Sequence, residues 1–276
     1  MNDILTIDFK SKNAPADFVK SLSSTGFAVI QNHGIDPDLI SRTYSDWRLF
    51  FESKLKHDYL FDLEKQDGYF PFKSENAQGY KTKDLKEFFH IYRWGVYPKE
   101  VSSATQAMHQ SLIDLGSKLL DYLDDYAPES VRANFSMKLS EMINDSGQNL
   151  LRVIHYPPVK KEDVLSGSIR AEAHTDINLI TILIAEPGLQ VIDTSGEWVD
   201  VELPKNSIVV NIGDMLQECS GGFYKSTIHR VVNPSENNRS RYSMPLFIHP
   251  RDEVELSVNF TAKQYLDERL REIGLK

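Results

Sequence analysis

Leu179-Ile180-Thr181-Ile182-Leu183-Ile184 is a short run of β-branched and aliphatic residues. It is far too short to span a bilayer and has the composition of a buried strand. Pro187-Gly188 punctuates the chain, and Leu189-Gln190-Val191-Ile192 reads as the next strand. The same pattern extends outward in both directions. Leu150–Tyr156 lies upstream, and Trp198–Val201, Ser207–Ile212, Thr227–Val232 and Tyr242–Ile248 lie downstream. Many short strands separated by Gly, Pro, Asn and Ser predict a sandwich or jelly roll.

The first half has a different character. Ile4–Phe9 is a short apolar stretch, Ala14–Ser24 reads as a helix, and Phe27–Ile30 as a buried strand stopped by Asn32-His33-Gly34. Asp36-Pro37 has the form of an N-cap with Pro at N1, opening a helix toward Leu55. Gly68–Thr82 is rich in turn formers and reads as loop. Met108, Leu112, Leu115, Leu119, Leu120 and Leu123 recur near helical spacing within Ala104–Tyr126, and a second helix is expected over Pro128–Ile143. Thr261–Ile273 closes the chain as an amphipathic helix. With no linker and no internal repeat, the 276 residues are expected to form one domain. Its parts are a mainly helical region (1–145), a jelly-roll catalytic core (146–258) and a C-terminal helix (259–276). The fold class is therefore mixed α/β (α+β), a β core with N-terminal and flanking helices.

Composition narrows the function. Hydrophobic residues make up 41% and the net charge is −9, so the chain is globular and a polyanionic partner is disfavoured. No nucleic-acid or membrane partner is expected. A single cysteine, Cys219, excludes an internal disulfide and, with no signal-like segment in Met1–Lys10, fits a cytoplasmic protein, monomeric or a small homo-oligomer.

His174-Thr175-Asp176 is the first chemical candidate, because residues i and i+2 of a strand share a face. Chance supplies about 0.6 such pairs in a chain of this composition, so the pair needs a third ligand. His229, 53 positions after Asp176, is the candidate, although alone it reads more readily as a satisfied core or surface histidine. Two imidazoles and a carboxylate make the facial triad of non-haem Fe(II) oxygenases, and also suit a zinc hydrolase. Arg241 and Ser243 alternate onto one face 12 and 14 residues later, and a guanidinium with a hydroxyl suits a carboxylate. A metal beside such a clamp points to a chelating 2-oxo acid. The hydrolase reading lacks a His-Glu-x-x-His helix and leaves the clamp unexplained.

These residues resemble the 2-oxoglutarate- and Fe(II)-dependent dioxygenases, in particular the isopenicillin N synthase-like branch. The resemblance runs through His174-Thr175-Asp176, Gly188-Leu189-Gln190-Val191, Trp198-Val199, Val210–Gln217, Ser220–Val231 and Arg241-Tyr242-Ser243. Gly26–Ile35 and Tyr265–Leu270 resemble the branch's terminal signatures. It implies a double-stranded β-helix with Fe(II) on His174, Asp176 and His229, and 2-oxoglutarate on Arg241, Ser243 and Tyr156. It further implies O2 as oxidant and hydroxylation of a small molecule as the reaction, with succinate and CO2 as coproducts. The family's usual Asn-x-Tyr-Pro is Ile154-His155-Tyr156-Pro157 here, and Ala185 stands where the family often has Gln. His33 matches a structural position of the family, and Gly213-Asp214 is expected to be a turn.

Substrate contacts are expected from Tyr69, Tyr80, Phe88, Tyr92, Arg93, Arg152 and Phe247, with Arg93 or Arg152 holding an anionic group. Core packing and surface ion pairing are the plain alternatives for each. Lys83–Glu87 reads as a solvated face. Two further readings stay open: an oxidative cyclase without 2-oxoglutarate, whose clamp would hold the substrate's own carboxylate, and a binding protein that has lost turnover.

Overall fold

The computed structural model describes residues 4–75, 83–165, 169–233 and 238–272. In chain order, β1 (Thr6–Asp8), α1 (Ala14–Thr25), β2 (Phe27–Gln31) and α2 (Pro37–Glu52) lead to a 3-10 turn over Lys54–Tyr59. β3 (Gly68–Phe70), β4 (Glu87–Ile91), α3 (Ala104–Asp125), α4 (Glu129–Arg132) and α5 (Leu139–Met142) follow. The second half contains β5 (Leu150–Tyr156), α6 (Lys161–Leu165), β6 (Ala171–His174), β7 (Ile180–Ala185), β8 (Leu189–Ile192) and β9 (Trp198–Asp200). It ends with β10 (Ile208–Ile212), α7 (Asp214–Cys219), β11 (His229–Val231), β12 (Arg241–Ile248) and α8 (Ala262–Glu272). No helix among the described residues is long and apolar enough to cross a membrane.

The strands form two sheets. The larger has eight strands in the order β1-β2-β10-β7-β12-β5-β4-β3, and the smaller has four, β6-β11-β8-β9. This is the expected jelly roll, with one extension. β1 and β2 lengthen the large sheet at one edge, and β4 and β3 at the other, so the first half supplies four strands as well as helices.

Alternation along the large sheet sorts its residues by face. Ile180, Ile182 and Ile184, with Met244, Leu246 and Ile248, enter the main apolar core, which also contains Leu112, Leu119 and Leu120 of α3. Gly116 lets α3 sit close to the sheet: a Cβ there would meet Ile248 Cδ1 at 2.1 Å. The other face, carrying Thr181, Leu183, Ser243 and Pro245, lines a cavity that the small sheet closes with His174, Leu189 and His229.

Local chemistry sets the helix ends. Asp36 caps α2 by accepting from the Asp38 N–H at 2.9 Å, with Pro37 at N1, as expected. The single helix expected over Pro128–Ile143 is instead α4 and α5. Tertiary bonds override the helical pattern between them. Ser136 Oγ donates to Glu255 O at 2.7 Å, and Asp124 Oδ2 accepts from the Leu139 N–H at 2.9 Å. The loop expected over Gly68–Thr82 begins as β3, paired with β4, and residues 76–82 lie outside the described residues. Lys83–Glu87 is not a solvated face, because Asp84, Leu85, Lys86 and Glu87 are all buried.

Gly213-Asp214 opens α7 rather than forming a free turn. A Cβ on Gly213 would lie 2.1 Å from Asn178 O, a backbone atom that cannot swing away. The close approach lets the Gly213, Asp214 and Met215 N–H groups donate to Leu179, Asp176 and Ile177 carbonyls at 2.9, 2.7 and 3.0 Å. Asp214 itself pairs with Arg269 at 2.9 Å and is structural, as expected. Gly213→Ala is expected to overpack this contact and lower stability by about 1–3 kcal/mol. Urea unfolding should show a lower midpoint at unchanged slope, and an unchanged midpoint would show that the contact relaxes freely.

Candidate metal centre

β6 and β11 run antiparallel, with His174 directly opposite His229. Asp176 follows two residues beyond His174. Asp176 Oδ1 lies 3.9 Å from His174 Nε2 and 3.7 Å from His229 Nε2. The three donor atoms are all within 4.8 Å of one another, so one ion can reach all of them.

Hydrogen bonds orient each donor. His174 Nδ1 lies 2.7 Å from Glu172 O, and His229 Nδ1 lies 3.1 Å from Thr227 O. A carbonyl accepts only from N–H, so both rings carry the proton on Nδ1 and present Nε2 as a lone pair. Burial, then the neighbouring His229, pushes the His174 pKa down to about 4, which keeps it a neutral ligand near pH 7. Asp176 Oδ2 accepts from Thr181 Oγ1 at 2.6 Å and from Asn211 Nδ2 at 2.8 Å, leaving Oδ1 for the ion. Burial alone would raise the Asp176 pKa; the two imidazoles and these two donors outweigh it and lower it. Two neutral Nε2 atoms, one carboxylate oxygen and open positions toward a cavity fit Fe(II).

That cavity lies between the sheets. Arg241, Ser243 and Tyr156 line one end, where Arg241 and Tyr156 are register partners on β12 and β5. Arg241 is only 2% exposed. Its Nη2 donates to Glu186 O at 2.7 Å and its Nε to Pro187 O at 3.0 Å. Buried Nη1 has no hydrogen-bond partner among the described residues. A buried guanidinium N–H is costly to leave unpaired, so this edge suits an incoming carboxylate. The Tyr156 ring lies 5.0 Å from the guanidinium carbon.

The other expected contacts divide. Arg152 and Phe247 line the cavity. Tyr69, Phe88, Tyr92 and Arg93 do not. Tyr69 is buried and donates to Glu87, within a polar cluster that also holds Lys56 and His155. Phe88 is fully buried, stacked on Phe70 at 4.5 Å, and supports Arg152 at 4.7 Å. Tyr92 stacks on Trp94 at 4.7 Å, and Arg93 is exposed. Tyr80 lies outside the described residues. His33 sits in a separate cleft with Ile35, Pro37 and Asn206.

Among the described residues, three polar side chains of the cavity were not expected there from the sequence: Lys86, Thr181 and Asn211. Thr181 and Asn211 left a signal, since each is a lone polar residue in an apolar strand. Lys86 left none, because an alternating acid-base run looks the same buried or solvated.

Comparison with known proteins agrees with this chemistry. Residues 147–250 match the 2OG-Fe(II) oxygenase superfamily, and residues 5–111 match the non-haem dioxygenase in morphine synthesis N-terminal family. A 2-oxoglutarate-Fe(II) type oxidoreductase of Emericella nidulans is 40% identical over 251 residues, covering 83% of this chain and 71% of that protein. A flavonol synthase/flavanone 3-hydroxylase of Arabidopsis thaliana is 29% identical over 256 residues, covering 84% and 70%. The crystal structure of a candidate oxygenase from Shewanella oneidensis superposes with a TM-score of 0.90 at 44% identity, covering 99% of this chain and 100% of that one. The chain belongs to the 2OG-Fe(II) oxygenase superfamily, oxidoreductases that use Fe(II), 2-oxoglutarate and O2.

Proposed function

We propose that this chain is a 2-oxoglutarate-dependent hydroxylase of a small molecule. His174, Asp176 and His229 hold the iron, and Arg241, Ser243 and Tyr156 hold the distal carboxylate of 2-oxoglutarate. The observation that carries this reading is the buried Nη1 of Arg241, without a partner among the described residues, in the same cavity as the convergent triad. When bound, Fe(II) supplies O2 activation coupled to decarboxylation of 2-oxoglutarate to succinate and CO2.

The protein's part is orientation and exclusion. Two carbonyls hold the Arg241 guanidinium rigid, so the carboxylate meets a fork whose geometry is already set. Ser243 adds a hydroxyl two residues along the same strand face. β12 then continues through Pro245 to Phe247, and the register sets Phe247 opposite Thr181, the residue that holds Asp176. The clamp and the triad line the same cavity between the sheets, so a single cosubstrate can reach both. Leu183, Leu189, Val231 and Phe247 give the cavity apolar walls that limit water at the reacting end.

Anaerobic titration of the Fe(II)-loaded protein with 2-oxoglutarate tests this. A weak visible charge-transfer band saturating at one equivalent is expected. Iron binding without a band would overturn the reading and favour an oxidative cyclase, whose substrate occupies the clamp. Arg241→Ala should raise the half-saturating 2-oxoglutarate concentration about 10–100-fold with iron content unchanged, since charge-assisted bonds contribute about 1.5–3 kcal/mol. Unchanged affinity would remove Arg241 from the clamp. Asn211→Leu and Thr181→Val should each weaken Fe(II) binding by about 10–100-fold, measured by anaerobic metal competition.

A further inference from the structure

Among the described residues, four charged side chains line the cavity: Asp176, Arg241, Lys86 and Arg152. The first serves the metal and the second the cosubstrate. The remaining two are cations with no part in that chemistry. Lys86 is compensated, with Asp84 Oδ2 at 2.8 Å and Glu75 Oε2 at 2.9 Å from its ammonium. Burial works against the charge, but these carboxylates outweigh it and hold the Lys86 pKa above its ordinary value.

Arg152 is placed differently. The carboxylate it shares with Lys86, Glu75, is 3.6 Å from its Nη1, too far for a hydrogen bond. Its Nε donates to His90 Nε2 at 2.7 Å. His90 can accept there because its Nδ1, 2.7 Å from Gln66 O, carries the ring proton. Burial and then Arg152 itself hold the His90 pKa well below the ordinary value, so the ring offers a lone pair and no charge. The Arg152 guanidinium carbon lies 4.7 Å from the Phe88 ring centre and 5.4 Å from that of Phe247. It is thus a guanidinium fixed on one edge by a neutral acceptor, packed on aromatic rings, and open to the cavity.

Position separates it from the cosubstrate. Arg152, Ile154 and Tyr156 alternate on the cavity face of β5, so Arg152 stands four residues, about 13 Å, from the clamp end. The register sets it beside Pro245 and near Phe247, at the triad end.

We infer that Arg152, flanked by Lys86, anchors an anionic group of the organic substrate, so the enzyme takes small molecules with one carboxylate-like anion on an apolar body. His90 is the positioning residue that aims the fork. This rests on the metal and clamp assignment above.

The test uses Zn(II)-loaded protein saturated with 2-oxoglutarate, so that the clamp is filled. Calorimetry compares phenylacetate, 3-phenylpropionate and cyclohexanecarboxylate with their primary amides. At least one carboxylate should bind 10-fold or more tightly than its amide. Arg152→Gln should abolish that preference, Arg152→Lys should keep part of it, and Arg241→Ala should leave it in place. Equal binding of every acid and amide by the wild type overturns the inference. So does a preference that survives in Arg152→Gln, or one lost only in Arg241→Ala. The anaerobic 2-oxoglutarate band, recorded for the wild type and for Arg152→Gln, separates the two levels. A band in both shows a folded, cosubstrate-binding protein, so a failed panel then counts against the anion anchor alone. No band in the wild type counts against the underlying assignment.

Discussion

A carboxylate buried between two sheets needs donors, and Asp176 obtains them from strands that are otherwise apolar. Thr181 on β7 and Asn211 on β10 both bond Oδ2. With that oxygen held, Oδ1 has one direction left, toward the two Nε2 atoms. The peptide groups of Gly213–Met215 fix the backbone behind it, and the missing Cβ of Gly213 permits that contact. The convergence of His174, Asp176 and His229 is therefore an outcome of sheet register as much as of the three residues themselves, because a one-residue slip of β7 or β10 would turn its polar residue away.

The large sheet carries two environments on opposite faces. One face meets α3 through isoleucines, leucines and a methionine, and the other meets the cavity, where its polar residues gather. A sheet buried on both sides cannot advertise itself through simple alternation of apolar and polar residues. The rare polar residues on its strands mark the cavity face instead.

Most strands of the second half were legible because turn formers punctuate them, β6 being the exception, and the candidate triad and clamp residues stood out through their spacing together with a family resemblance. β3 and β4 were not, since Tyr69-Phe70 follows polar turn formers and Glu87–Ile91 opens with a buried glutamate. Lys86 was hidden for a related reason. Its partners Asp84 and Glu75 make the run look solvated, and only the fold turns it inward. Tyr69, Phe88 and Tyr92 show the converse, since aromatics near a cavity more often build its walls from behind.

The strand order also bears on how the protein is made. β12, the last strand among the described residues, does not sit at an edge but between β7 and β5. Until residues 241–248 leave the ribosome, those two strands each expose an unpaired margin, and β10 and β5 belong to separate fragments. The large sheet cannot close during most of synthesis, and pairings such as β2 with β10 span most of the chain. Such non-local topology folds slowly and leaves sticky margins exposed meanwhile. The nascent chain therefore has a long interval in which chaperone protection matters, and the segment that ends it is the one that carries Arg241 and Ser243.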